Sequence, residues 1–278
     1  MLNSISNWLI NLFLRLGFLL LISSCEEVVT PDLITADPVI VIDSWVTNMP
    51  GNNYIKLTQT AAFNSPEATP RVSNAIIFLT DNFNRRVRFI EREQGSYLPE
   101  NDDFTGKPGG IYKLSVRIGE TEFLANSKMS NVAEIDSLTY NFREDEPLFE
   151  DGYYLTAYFQ DPPSQKNYYY WEVLLNEEII NNKEINISDD ANVNGQYLNF
   201  ELPFFIDKAF ADSSDRVQVN IFSLTEEAYK YYQGLDILTK SGSPAQAVPE
   251  NPPTNIQNGA LGFFNVSAMD SSKVTLME

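Results

Sequence analysis

The feature that most limits how this chain can fold is a succession of short segments with apolar side chains at every second position. Residues 54–60, 86–90 and 111–118 alternate in this way. A period of two is that of a strand with one buried face. Turn formers separate the segments: Met49-Pro50-Gly51-Asn52-Asn53, then Asp81-Asn82, then Gly109-Gly110. With residues 39–46, 75–80, 95–98 and 122–127 included, about seven strands fall within about 90 residues, and no helical stripe intervenes. The expected class is all-β and rich in β-sandwich. Residues 39–130 read as a sandwich of immunoglobulin-like or transthyretin-like type. Strand count is legible here; topology is not.

Near Ser130 the pattern resets, and residues 131–278 read as a second β-rich domain. Strands are expected over 135–142, 153–160, 168–175 and 217–224. Residues 197–205 form a further strand, with Pro203 marking it as an edge. One helix is expected near 225–239. Ser223 and Glu226 have capping-box spacing, and Glu226-Glu227 suit a first turn. Ala228, Tyr231, Tyr232, Leu235 and Leu238 make its apolar stripe. Gly234 interrupts that stripe at a cost of about 1 kcal/mol. A loop over 241–258 and a final strand over 260–268 close the chain.

Composition removes several kinds of chemistry. The formal net charge is -19, which repels phosphate backbones and argues against nucleic acid as a partner. Histidine is absent, so Ser-His-Asp and Cys-His catalysis and His-ligated metals are excluded. A single cysteine allows no intrachain disulfide. Carboxylate chemistry remains open. The acidic loops at Asp102-Asp103, Glu144-Asp145-Glu146, Glu150-Asp151 and Asp189-Asp190 lack the spacing of a calcium loop and read as solvated. No catalytic residue, metal or cofactor is assigned.

The amino terminus carries its own signal. Residues 11–21 read NLFLRLGFLLL, an apolar stretch interrupted by Arg15, and Ile22-Ser23-Ser24-Cys25 follows. This segment is short for a membrane span and suits a signal peptide over residues 1–24. The four residues resemble the lipobox of bacterial lipoproteins. That resemblance implies a covalent lipid on Cys25, which becomes the first residue of a tether over 25–38. Acyl chains anchor by burying methylenes, about 0.8 kcal/mol each. Glu26 and Glu27 resemble the acidic export signal of Bacteroidota surface lipoproteins. The expected location is the outer membrane, lipid-anchored and surface-facing.

The order of several further motifs carries a wider resemblance. The run from Val39 through Asp43-Ser44-Trp45 to Thr47 is followed by Val72-Ser73-Asn74-Ala75, then by Gly95 and Tyr97, then by Gly109-Gly110-Ile111-Tyr112. Ile135-Asp136-Ser137-Leu138 opens the second half, and Asn255-Ile256-Gln257-Asn258-Gly259-Ala260-Leu261-Gly262 stands near the end. Together these resemble the outer-membrane lipoproteins of Bacteroidota grouped as domain-of-unknown-function family 4249 (DUF4249). Such proteins are often encoded beside TonB-dependent transporters. The resemblance implies a non-enzymatic accessory or binding subunit and supplies no catalytic residues. An adhesive or structural surface protein is the alternative, and a carbohydrate-active enzyme a third.

Binding candidates are the aromatic run Tyr168, Tyr169, Tyr170, within a set that includes Tyr153, Tyr154, Tyr158, Trp171, Tyr231 and Tyr232, and the tail residues Asn255 and Asn258. Both groups have a structural reading of greater weight: core packing for the aromatics, and a turn at Asn258-Gly259 with close approach at Gly262. Asp136-Ser137-Leu138 resembles a Bacteroidota O-glycosylation site, which would place the sugar on Ser137.

Overall fold

Alternation becomes burial along β1 (Ile40–Thr47), where Ile42, Ser44 and Val46 point inward and Asp43 between them points out. β6 (Ile111–Ile118) repeats this, with Tyr112, Leu114 and Val116 inside and Ile111, Lys113 and Arg117 outside. The computed structural model describes residues 37–61, 68–163, 165–180, 185–191, 193–240 and 251–277. Cys25, Glu26 and Glu27 lie outside the described residues, as do the expected signal peptide and most of the tether.

The first sheet also contains β2 (Tyr54–Gln59), β3 (Ile76–Asp81), β4 (Arg86–Glu93), β5 (Ser96–Pro99) and β7 (Thr121–Lys128). Its eighth strand comes from the far end of the chain, β15 (Leu261–Ser267). The order is β15-β1-β2-β5-β4-β3-β6-β7. Every pairing is antiparallel except β1 with β15, which is parallel. The sheet curls until its two edges meet. Ala125 of β7 bridges Ile256, and Ser130 bridges Ser267. The result is a near-closed barrel or sandwich around Ile42, Leu57, Leu79, Tyr97, Leu114 and Phe264. This agrees with the expected immunoglobulin-like class.

The second β-rich region is a true two-layer sandwich. One layer is β13 (Tyr197–Asp207), β9 (Gly152–Gln160) and β8 (Ile135–Arg143). The other orders β11 (Glu178–Ile179), β10 (Tyr168–Leu175), β14 (Arg216–Leu224) and β16 (Met269–Thr275), with β12 (Ile187–Asp189) also on β10. Leu155 and Phe159 of one layer meet Trp171, Val173, Val219 and Ile221 of the other. Truncating a buried indole such as Trp171 costs about 3–5 kcal/mol. Pro203 sits on the edge strand β13, inside a bulge between Glu201 and Phe205. A proline there removes no ladder hydrogen bond that the sheet needs.

Three details differ from the sequence reading. The first sheet is not confined to residues 39–130, because β15 joins it after the whole sandwich has been traversed; a parallel pair needs such a long connection. β16 follows β15 after Ala268 alone, and its polar sequence hid it. The helix α1 (Glu226–Lys240) is capped by Thr225, whose Oγ1 accepts from the Ala228 amide at 3.1 Å. Ser223 is no cap. Its buried hydroxyl donates to the Ser130 carbonyl at 2.9 Å and accepts from the Ala268 amide at 3.1 Å. Gly234 has a packing reason: a Cβ there would lie 3.2 Å from Pro252.

Candidate functional site

The three consecutive tyrosines of β10 go to different places. Tyr169 points into the sandwich, and its hydroxyl donates to Asp161 Oδ1 at 2.7 Å. Asp161 Oδ2 accepts from the Gly195 amide at 2.9 Å, so the pair fastens two loops. Tyr168 is buried against Tyr229 of α1, ring centroids 4.8 Å apart. Only Tyr170 is left half-buried, on the outward face.

The tail candidates are architectural. Asn255 Oδ1 accepts from the Phe264 amide and its Nδ2 donates to the Phe264 carbonyl, both at 2.9 Å. The same Nδ2 reaches the Asn126 carbonyl at 3.3 Å. Asn258 Nδ2 donates to the Glu122 carbonyl at 2.7 Å, from a backbone at φ 69°. The segment therefore ties β15 to β7 and closes the barrel. Gly262, at φ 92°, has no room for a side chain, since a Cβ would sit 2.2 Å from the Ile42 carbonyl oxygen. Ser137 is exposed beside a bulge in β8. Among the described residues no group of three acidic side chains is placed to hold a metal.

A different cluster forms where the outer face of the first sheet meets the outer face of β10 and β14. Asp43 projects outward on β1, with Lys56 of β2 and Phe263 of β15 as its register neighbours. Trp45 follows on the same face. Its ring lies 5.3 Å from Tyr170, 5.1 Å from Phe222 and 5.8 Å from Tyr232. Tyr170 and Tyr232 are 5.2 Å apart, and Tyr231 stacks on Phe263 at 5.0 Å. Tyr54 pairs with Trp45 across β1 and β2, and Lys56 Nζ lies 4.5 Å from the Tyr54 ring centroid. Glu172, two residues beyond Tyr170, accepts from Asn220 Nδ2 at 2.8 Å. Asn220 Oδ1 in turn accepts from Gln218 Nε2 at 2.7 Å.

Asp43 keeps solvent access, yet desolvation raises its carboxyl pKa against the opposing pull of Lys56. Asp43 is exposed, with protein crowded around it on the seam side. Burial likewise raises Glu172, opposed by the Asn220 hydrogen bond. Burial, with the nearby carboxylates, pushes Tyr170 and Tyr231 up to about 12. Tyr54 and Tyr232 are raised further, again chiefly by burial. Asp43 acts on all four phenols and Glu172 on Tyr54 and Tyr170, so both carboxylates face one aromatic cluster. The phenols stay neutral donors. Among the described residues, neither a hydrogen bond nor an ion pair within 4.0 Å reaches the Asp43 side chain. The buried Nε1 of Trp45 also has no partner there.

Sequence reasoning included Tyr170, Tyr231 and Tyr232 among its aromatics but missed Asp43, Trp45, Tyr54 and Glu172. One signal was present: a charge at an outward position of an otherwise apolar strand, with tryptophan two residues on and therefore on the same face.

No curated protein matches the chain closely enough to indicate kinship. Residues 26–273 match the family model described as Domain of unknown function (DUF4249). That match covers most of the chain, together with the tail motif whose hydrogen bonds close the first sheet, and the chain belongs to this family.

Proposed function

We propose that this chain is a lipid-anchored binding protein of the outer membrane. It faces the cell surface, serves a TonB-dependent transporter as an accessory subunit, and catalyses no reaction. The observation that supports the binding role is the seam, where the buried Trp45 Nε1 hydrogen has no partner among the described residues and stands beside tyrosine rings and the exposed Asp43. Buried polar groups are normally satisfied, and unsatisfied ones gather where a ligand completes them. The lipobox-like Ile22-Ser23-Ser24-Cys25 and the acidic Glu26-Glu27 support the anchor and the surface location. The family resemblance supports the transporter partner.

Paired carboxylates beside aromatic rings also suit glycoside hydrolysis, the third of the readings above. Acid and base roles need environments that push two carboxyl pKa values apart. Here burial pushes Asp43 and Glu172 in the same direction, which favours binding. The test is isolation of the protein from its native membrane in mild detergent. A stoichiometric β-barrel should accompany it, and Cys25→Ala should release the protein from the membrane. Recovery of the lipidated protein alone would overturn the accessory role. Sugar release that disappears in Asp43→Asn would replace binding with catalysis.

A further inference from the structure

Another face of α1 borders a groove of its own. Tyr229, Gln233, Asp236 and Lys240 recur at helical spacing, so they line it together. Asn186 and Ile187, at the start of β12, and Pro203 of the edge strand β13 complete much of the lining. Tyr231 and Tyr232 turn to the seam instead. The groove holds about 630 Å³, within the range of small-molecule sites.

Two polar atoms of the lining residues have no partner among the described residues. Asn186 is only 6% exposed, and its carbonyl accepts from the Trp171 amide at 2.8 Å, which fixes its main chain. Its buried Nδ2 donates to no acceptor. Asp236 Oδ2 accepts from Lys240 Nζ at 2.8 Å, while its buried Oδ1 receives no donor. Unpaired buried polar groups are rare and call for an explanation. An unpaired donor and an unpaired acceptor bordering one groove match the two halves of a hydroxyl, whose oxygen accepts and whose hydrogen donates.

The rest of the lining limits the guest further. Lys240 already neutralises Asp236, so a cationic guest would compete with a tethered ammonium. An anionic guest would face that carboxylate and the acidic field of a chain of formal net charge -19. A wholly apolar guest would leave both atoms unpaired. Tyr229 is half-buried and held by its ring contact with Tyr168 at 4.8 Å. With Ile187 and Pro203 it offers an apolar wall, against which the C–H face of a sugar ring can stack.

We infer that this groove binds a neutral pyranose sugar, alone or as the end of a short chain. Its hydroxyls accept from Asn186 Nδ2 and donate to Asp236 Oδ1, and one ring face lies on Tyr229. Both polar atoms are closed to water in the empty groove, so binding involves a small shift of the side chains around them. The site is separate from the seam and independent of the transporter partnership.

The test is ligand-observed magnetic resonance, with calorimetry as a second readout, on the full chain in a detergent without a sugar headgroup. The probes are the methyl glycosides of glucose, galactose, mannose and N-acetylglucosamine, with maltose, cellobiose and lactose. Each monosaccharide is compared with its amino-sugar and uronate counterparts. At least one neutral sugar is expected to bind with a Kd of about 1 mM or tighter, and about fivefold or more tighter than its charged counterparts. Asn186→Leu and Asp236→Leu should each weaken that binding by about fivefold or more. Tyr229→Ala should do the same, whereas Tyr229→Phe, which keeps the ring, should stay within about twofold. Asp43→Asn, at the seam, should leave the affinity unchanged. Thermal melts establish that each variant is folded, and Asn186→Leu should melt no lower than the native protein, because it removes an unpaired donor. Absence of binding by every probe up to about 10 mM overturns the inference. So does equal affinity for charged counterparts, or full affinity in folded Asn186→Leu and Tyr229→Ala. A sugar that binds protein purified without any barrel leaves the inference standing and removes only the transporter partnership.

Discussion

Asn255 and Asp43 stand beside neighbouring residues of one strand, and they have opposite fates. Asn255 brackets Phe264 of β15 with hydrogen bonds to its amide and carbonyl, and reaches Asn126 as well. Asp43 lies beside Phe263 of the same strand and receives no hydrogen bond from the described residues. Polar side chains that complete the backbone of a strand edge are architecture. Asp43 is exposed yet crowded by protein, so its charge is partly desolvated while it completes no backbone group.

The comparison can be broken from either side. Gly262→Ala should have the largest effect, about 3 kcal/mol or more, because the new Cβ would meet the Ile42 carbonyl at 2.2 Å in a left-handed backbone. Denaturant unfolding reads this directly, and a near-neutral result would mean that the β1–β15 contact is looser than described. Asn255→Ala should cost about 2–3 kcal/mol, since it leaves the amide and carbonyl of buried Phe264 without these partners. Thr225→Ala should cost about 1 kcal/mol by removing the helix cap. If Thr225→Ala is silent and Ser223 proves to be the cap, α1 begins about half a turn earlier than described.

Asp43→Asn should have the smallest effect at low pH and a rising benefit above it. Desolvation raises the folded-state pKa of Asp43 above the ordinary carboxylate value. The folded state therefore holds this proton more tightly than the unfolded chain. That stabilisation is complete below the ordinary pKa and is lost as pH climbs through the raised one. An amide does not titrate, so the melting temperature of Asp43→Asn relative to the native protein should increase as pH rises above the ordinary carboxylate pKa of about 4. A flat or falling difference would show that Asp43 is fully hydrated and would dissolve the contrast with Asn255.

Much of this was legible before any coordinates. Period-two alternation and turn residues located β1 to β10 within a residue or two, except that β4 runs three residues past Ile90, and Pro203 announced an edge strand. The tail motif was read as turn and close approach, and its bonds to Phe264, Asn126 and Glu122 are of that kind. The tyrosine run was less legible. Alternation says that Tyr168 and Tyr170 share a face opposite to Tyr169, but not which face meets α1 or the seam.

Local physics therefore determined most of the elements, though not β11, β12 or the polar β16: strand period, turn chemistry, the helix and the excluded chemistries follow from residues close together in the chain. Tertiary structure decided what those elements do. The parallel pairing of β1 with β15, the replacement of Ser223 by Thr225 at the helix cap, and the convergence of Asp43, Tyr54, Tyr170, Glu172 and Tyr232 all depend on contacts between distant segments. No local pattern encodes such contacts, because an outward-facing residue on a strand looks the same in sequence whether it meets water or another sheet.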